Sequence, residues 1–174
     1  MKLIYIPGFG GNTNSETFKN ISIKYADVET VFINYDNRNA ENAFIQIEDQ
    51  IENKASKNCL IIGQSLGGFW AEYFAHKYGF KLILINPSLN PSESLKKYNL
   101  TLEELDCYRK FILIETVKSE MAIILSKNDT IVSPKPVKEK YKDLVEFKYV
   151  NCDHKLTEFE CLFTEIEKIL NRSN

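Results

Sequence analysis

From Cys59 to Ile62 the chain is continuously apolar; it then runs through Gly63-Gln64-Ser65-Leu66-Gly67-Gly68 into a helix-like segment that stops at Gly79. A strand that turns so sharply into a helix needs its two backbones to pass closely, which small residues two before and two after the central position allow. The turn lifts that central residue out of the sheet on a strained corner. The helix behind it aims free N–H groups and the positive end of its dipole at the same spot. A hydroxyl there stands beside ready-made stabilisation for an oxyanion. Gly63, Ser65 and Gly67 therefore read as G-x-S-x-G, the nucleophile elbow of a serine hydrolase, with Ser65 as nucleophile.

Strand and helix signals alternate around this corner. Leu3–Ile6 is a short apolar run stopped by Pro7 and Gly8. Residues 15–25 have helical spacing with Ser15 as N-cap, and Val28–Tyr35 is rich in β-branched and aromatic residues. Residues 42 to about 53 put Phe44, Ile47 and Ile51 on one helical face. Cys59–Ile62 predicts a strand, Leu66–Tyr78 a helix, and Lys81–Ile85 and Met121–Leu125 further strands. Pro134–Leu144 predicts a short helix with proline in its first turn, and Val145–Val150 a strand. Thr157–Asn171 predicts an amphipathic helix opened by a Thr157–Glu160 capping box. Short apolar strands separated by helices imply an α/β fold: a minimal doubly wound, mostly parallel sheet of about six strands with helices on both faces. The 174 residues suit a single domain, 1–174, with an insertion over about 88–120. The insertion carries a helix from Thr101 and the apolar stretch Phe111–Val117, whose pattern fits a lid helix or an extra strand.

Twenty-two basic against 24 acidic residues leave a net charge of −2, which argues against nucleic acid or an anionic membrane as partner. No apolar run reaches the ~18 residues of a membrane span, and no secretory signal precedes the first strand. Cys59, Cys107, Cys152 and Cys161 form no C-x-x-C pair and read as reduced thiols in a cytoplasmic protein. Two histidines without clustered ligands speak against a metal site.

A serine needs a base to take its proton. His154 follows a strand, on a loop before the last helix, where catalytic groups of parallel sheets sit. His76 lies about 16 Å along the helix axis from Ser65, and a cation at that helix end is explained by the dipole. Elbow hydrolases order their triads Ser, acid, His. Asp129, directly after a strand, suits the acid; Asp106, Glu115 and Asp153 are its rivals. Two backbone donors would complete the site, the N–H of Leu66 and one from the loop Pro7–Gly11, assigned to Phe9. Gly8 and Gly10 let that loop approach a substrate, and Gln64 joins them as substrate-binding. The same loop, with Asp36 after the next strand, is also a partial dinucleotide fingerprint; its third glycine is replaced by Thr13.

Tyr5-Ile6-Pro7-Gly8-Phe9-Gly10, Gly63–Gly68, Ile85-Asn86-Pro87 and His154 followed by Phe159-Glu160 resemble the small single-domain bacterial α/β-hydrolases of the YqiA esterase-like type. Pro7 departs from the histidine usual in such proteins, which bears on the shape of the oxyanion loop. The resemblance implies cofactor-free hydrolysis of a small carboxylic ester or acyl thioester, with Ser65 as nucleophile, Asp129 as acid and His154 as base, and with the insertion lining the pocket. It also admits release of an acyl group from a carrier protein, for which Lys96, Lys97, Arg109 and Lys110 could form a docking face. A non-catalytic binding protein on the same scaffold is the alternative from another class, because fold does not dictate function.

Overall fold

Six strands line up in the order β2-β1-β3-β4-β5-β6, each pair of neighbours parallel. They are β1 (Lys2–Ile6), β2 (Thr30–Phe32), β3 (Cys59–Gln64), β4 (Lys81–Ile85), β5 (Met121–Ser126) and β6 (Phe147–Val150). The structure, a computed structural model, describes residues 2–52 and 59–171. Between the strands run α1 (Glu16–Lys24), α2 (Ala40–Glu52), α3 (Leu66–Tyr78), α4 (Pro91–Ser94), α5 (Leu102–Cys107) and α6 (Lys135–Tyr141), and α7 (Glu160–Asn171) follows β6. Asn53, the expected end of the second helix, lies outside the described residues.

Successive strand residues serve two cores, as a side-chain period of two requires. Ile4, Ile6, Ile61, Leu82 and Leu84 pack against α2, α3 and α6. Leu3, Tyr5, Leu60, Ile62, Ile83 and Ile85 pack against α1 and α7, which contribute Ile21, Leu162, Ile166 and Ile169. The register sets Ile6 beside Gly63, Gln64 beside Ile85, and Ser126 beside Val150. The carboxyl ends of β1, β3, β4, β5 and β6 therefore finish at one edge, where the loops that leave them converge.

Several boundaries differ from the sequence pattern, each for a local reason. β2 ends at Phe32 because the following amides of Asn34 and Asp36 donate to Gln50 and Gln46 of α2 rather than to a strand. α7 begins at Glu160, and the Thr157–Glu160 capping box does not form: Thr157 gives its N–H and its hydroxyl to Cys152 Sγ (3.4 and 3.2 Å). A capping box forms instead between Thr101 and Glu104 at the start of α5. Phe111 ends a 3₁₀ turn that begins at Tyr108, and the rest of the stretch to Val117 is neither helix nor strand. Its polar backbone is met by side chains: Lys140 Nζ donates to Leu113 O (2.8 Å), and Val117 N lies 3.5 Å from Tyr141 Oη. Phe111 packs among Phe44, Trp70 and Tyr73.

The start of α3 tolerates no side chain on the face that meets β1. A Cβ at Gly67 would overlap the carbonyl oxygens of Ile6 and Pro7, and one at Gly63 would overlap Gly67 and Ala71. At Gly68 it would stand 2.6 Å from Pro87 Cβ. At the other end of α3, Gly79 closes the helix in the left-handed region at φ 71°. Gly67→Ala is accordingly expected to destabilise the fold by about 3 kcal/mol, read as the midpoint of urea unfolding.

Within α3, Glu72 is 2% exposed. It accepts from Tyr141 Oη (2.5 Å) and Lys140 Nζ (3.0 Å), and Lys140 also holds the carbonyl of Leu113. Burial pushes the Glu72 carboxyl above its ordinary range, although Lys140, Tyr141 and His76 pull the other way. This network fastens α6 and the end of the insertion to α3. Glu72→Leu strips Lys140 and Tyr141 of a shared acceptor and is expected to cost about 3 kcal/mol. Glu72→Gln, which keeps an oxygen acceptor, should cost less, and denaturant titration of the two variants measures the order.

Candidate active site

Ser65 sits between β3 and α3 at φ 55°, ψ −121°, a conformation that non-glycine residues rarely adopt. Its backbone is pinned on both sides. Its N–H donates to Ile85 O (3.0 Å), and its carbonyl accepts from Gly68 N and Ser88 N (both 2.9 Å). The side chain faces the loop after β1: a Cβ at Gly8 would lie 3.0 Å from Ser65 Cβ and 3.5 Å from Oγ. A Cβ at position 8 would press on Ser65 Cβ and on the carbonyl of Gln64 beside the hydroxyl.

His154, on the loop between β6 and α7, brings Nδ1 to 2.8 Å from Asp129 Oδ2. The pair is withdrawn from solvent, with side chains 18% and 5% exposed. Asp129 Oδ1 accepts from the amides of Ile131 (2.7 Å) and Val132 (3.0 Å), so both carboxylate oxygens are oriented. Burial alone would push the Asp129 carboxyl up. Hydrogen bonds from His154 and from the Val132 and Ile131 amides, with the charge of His154, outweigh it and hold the group below the ordinary aspartate range. Cys152 braces this loop by accepting at Sγ from Thr157 N, Thr157 Oγ1 and Glu158 N. Asn128 N in turn donates to Cys152 O (3.1 Å), which ties the Asp129 loop to the His154 loop.

Ser65 and His154 line one cavity of about 990 Å³. Among the described residues, Ser65 Oγ makes no hydrogen bond to His154; such contacts are often loose until a substrate is seated. Gly8, Phe9, Gly10 and Gln64 line the same cavity. The Pro7–Gly11 loop is anchored by Tyr35 Oη on Pro7 O (2.8 Å) and by the Gly10 amide on Asn37 Oδ1 (2.9 Å). The Gly11 amide is spent on Gly8 O (3.0 Å). The Phe9 N–H meets no acceptor among the described residues, and Leu66 opens α3, where a helical N–H has no carbonyl one turn earlier to bind. Gln64 is fastened into the wall, its Oε1 accepting from Tyr5 Oη (2.7 Å) and Thr17 Oγ1 (2.9 Å). Of the 88–120 segment, Tyr98 reaches the cavity wall, stacked on Phe9 at 4.6 Å. Tyr108 and Phe111 of that segment pack against α3.

The rival residues are engaged elsewhere. His76 Nε2 lies 4.0 Å from Glu115 Oε2, and Asp106 pairs with Arg109. Asp153 Oδ1 accepts from Lys155 N (2.8 Å). Asp36, the acid of the dinucleotide reading, accepts from Arg38 N and Asn42 Nδ2. Among the described residues no group of three or more His, Cys, Asp or Glu side chains is placed to hold a metal ion, and no helix is long and apolar enough to cross a membrane. None of the four cysteines forms a disulfide. Asn86 enters the sequence reading only within the Ile85-Asn86-Pro87 strand ending. In the structure it is buried at φ 43° and reaches both Ser126 and the carbonyl of His154.

A mouse protein, alpha/beta hydrolase domain-containing protein 10, superposes with a TM-score of 0.75 at 16% identity, covering 99% of this chain and 90% of its own. Est1E from Butyrivibrio proteoclasticus, solved with ferulic acid bound, superposes at 0.75 and 14% identity, covering 98% and 89%. At such identities the likeness establishes the fold, and the fold is that of the α/β-hydrolases. In sequence, a UPF0227 protein of Vibrio cholerae serotype O1 is 28% identical over 138 residues, 74% of this chain and 76% of that protein. The model of the family described as Uncharacterised protein family (UPF0227) matches residues 2–171. With that match running from β1 to the end of α7, the chain belongs to the UPF0227 family.

Proposed function

We propose that this chain is a serine hydrolase that cleaves small carboxylic esters or acyl thioesters through an acyl-enzyme on Ser65. The observation that carries the reading is the pairing of a strained, cavity-facing serine with a histidine on the same cavity wall whose Nδ1 is 2.8 Å from an aspartate whose side chain is withdrawn from solvent. That the structural neighbours include lipolytic enzymes, and Est1E with ferulic acid bound, supports the substrate class. In this reading His154 Nε2 accepts the Ser65 proton as Oγ attacks the carbonyl carbon. The N–H groups of Leu66 and Phe9 hold the oxyanion, and Asp129 keeps the imidazole in its working tautomer. The tetrahedral centre collapses, and His154 Nε2–H protonates the leaving alkoxide or thiolate. Water then attacks the acyl-enzyme, giving a proton to His154, and the acid departs as that proton returns to Ser65 Oγ.

The small-ester reading is favoured over a carrier-protein ester by what the insertion's cations do. Lys96 pairs with Glu93, Arg109 with Asp106 and Lys110 with Glu41, and Lys97 donates to Ile131 O. Three of these four cations are paired with carboxylates of the same chain.

Ser65→Ala is expected to lower p-nitrophenyl acetate hydrolysis by at least about 10³-fold with the fold retained by circular dichroism. A fluorophosphonate probe should label the parent at Ser65. Equal rates for variant and parent, or no labelling at high probe concentration, would instead indicate a binding protein. Asp129→Asn is expected to reduce kcat by about 10⁴-fold. It also tests the depressed carboxyl through stability. A carboxyl lowered in the folded state stabilises above its unfolded value of about 3.9 and loses that contribution as pH falls through the folded value. The parent's stability advantage over Asp129→Asn should therefore be full at pH 7 and shrink below pH 4, measured by urea unfolding at each pH.

A further inference from the structure

The end of β4 and the turn after it bind Ser65 and His154 directly, and they bind the end of the strand that leads to Asp129. Their backbone holds the nucleophile: Ile85 O accepts from Ser65 N, and Ser88 N donates to Ser65 O. The turn's one polar side chain aimed the other way, the carboxamide of Asn86, holds the strand and loop that carry the acid and the base. Asn86 Oδ1 accepts from Ser126 N (2.7 Å) at the end of β5, three residues before Asp129. Asn86 Nδ2 donates to Ser126 Oγ (2.8 Å) and to the backbone carbonyl of His154 (3.1 Å). The backbone N–H of Asn86 is bound to Ile124 O (3.0 Å). Both Nδ2 hydrogens and the oxygen are thus spent in a site that is 3% exposed, so the carboxamide has one orientation. At φ 43°, asparagine is also one of the few residues besides glycine that the turn accepts.

We propose that Asn86 is a positioning residue that sets the separation between Ser65 and the His154–Asp129 pair. Its bond to His154 is the direct side-chain link from the turn that pins the serine to the loop that carries the base. It acts on the backbone of His154, so it moves the imidazole without touching a substrate. A displacement of about 1 Å at reacting groups costs on the order of 10²-fold in rate. The proposal rests on the catalytic reading for its kinetic consequence, but its structural core, control of His154 by Asn86, does not.

The test uses two variants with different losses. Asn86→Gly keeps the left-handed turn and removes the carboxamide. Asn86→Asp keeps the acceptor for Ser126 N and the tolerance of positive φ, and replaces the donor that reaches His154 O. Ile169→Val, a trimmed core residue on α7, controls for general destabilisation. The first reading is the imidazole Nδ1 proton of His154 in nuclear magnetic resonance spectra, assigned with His154→Gln. Its hydrogen bond to Asp129 should give a downfield signal in the parent and in Ile169→Val, and a shifted or broadened one in both Asn86 variants. The second reading is ester hydrolysis, where kcat should fall about 10- to 100-fold with KM within about twofold, while Ile169→Val keeps the parent's kcat. An unchanged Nδ1 signal with unchanged kcat in either folded variant overturns the proposal. So does failure of both variants to fold, which would make Asn86 a structural residue only. A parent that neither hydrolyses esters nor reacts with a fluorophosphonate sinks the catalytic reading alone, because the Nδ1 signal still reports whether Asn86 governs His154.

Discussion

Where α3 begins, its backbone lies against the last carbonyls of β1 without room for a Cβ at Gly67. That steric limit decides more than helix placement. To leave β3 and enter a helix held so close, the chain must reverse within one residue, and Ser65 takes the reversal at φ 55°. A strained dihedral of this kind costs of order 1–3 kcal/mol and persists only where the surroundings over-determine it. Here they do, through Ile85 O on one side and Gly68 N and Ser88 N on the other. The cavity-facing hydroxyl follows from close packing of backbone on backbone.

The opposite half of the site depends on polar bonds rather than sterics. His154 and Asp129 lie on loops that no ladder orders. They are held by side-chain and amide contacts: Ile131 and Val132 on the carboxylate, Thr157 and Glu158 on the sulfur of Cys152, Asn86 on the carbonyl of His154. In a partly buried setting each such group must find its partner, so the loops have few alternative arrangements. The parallel register then matters because it ends five strands at one edge, within reach of these short connections.

The 88–120 segment shows how tertiary contacts override local pattern. Its apolar stretch suggests a regular element, yet Phe111 joins the aromatic cluster over α3, and the carbonyl of Leu113 is met by Lys140 rather than by a helix or strand. Lys140 is available for this because the buried Glu72 holds it in place. Tyr98 alone of this segment turns toward the cavity, and its position is set by stacking on Phe9 and by Lys97 on the carbonyl of Ile131.

What the sequence by itself determined is whatever depends on neighbours along the chain. The apolar strand runs, the helix of Leu66–Tyr78 with its glycine stop, and the small-residue frame around Ser65 are local, because period, propensity and close approach are written into consecutive residues. The preference for His154 over His76, and for Asp129 over its rivals, came from their places directly after strands and from their order along the chain, since loops at the carboxyl ends of parallel strands share an edge; the fold brings these two side chains to 2.8 Å. Other features had no sequence signal. Thr157 abandons the expected capping box for a sulfur five residues back. The insertion folds onto α3, and Asn86 links Ser65's turn to His154 across 68 positions. Those depend on which distant polar group arrives within about 3 Å of another, a quantity that only the packed sheet and its loops decide.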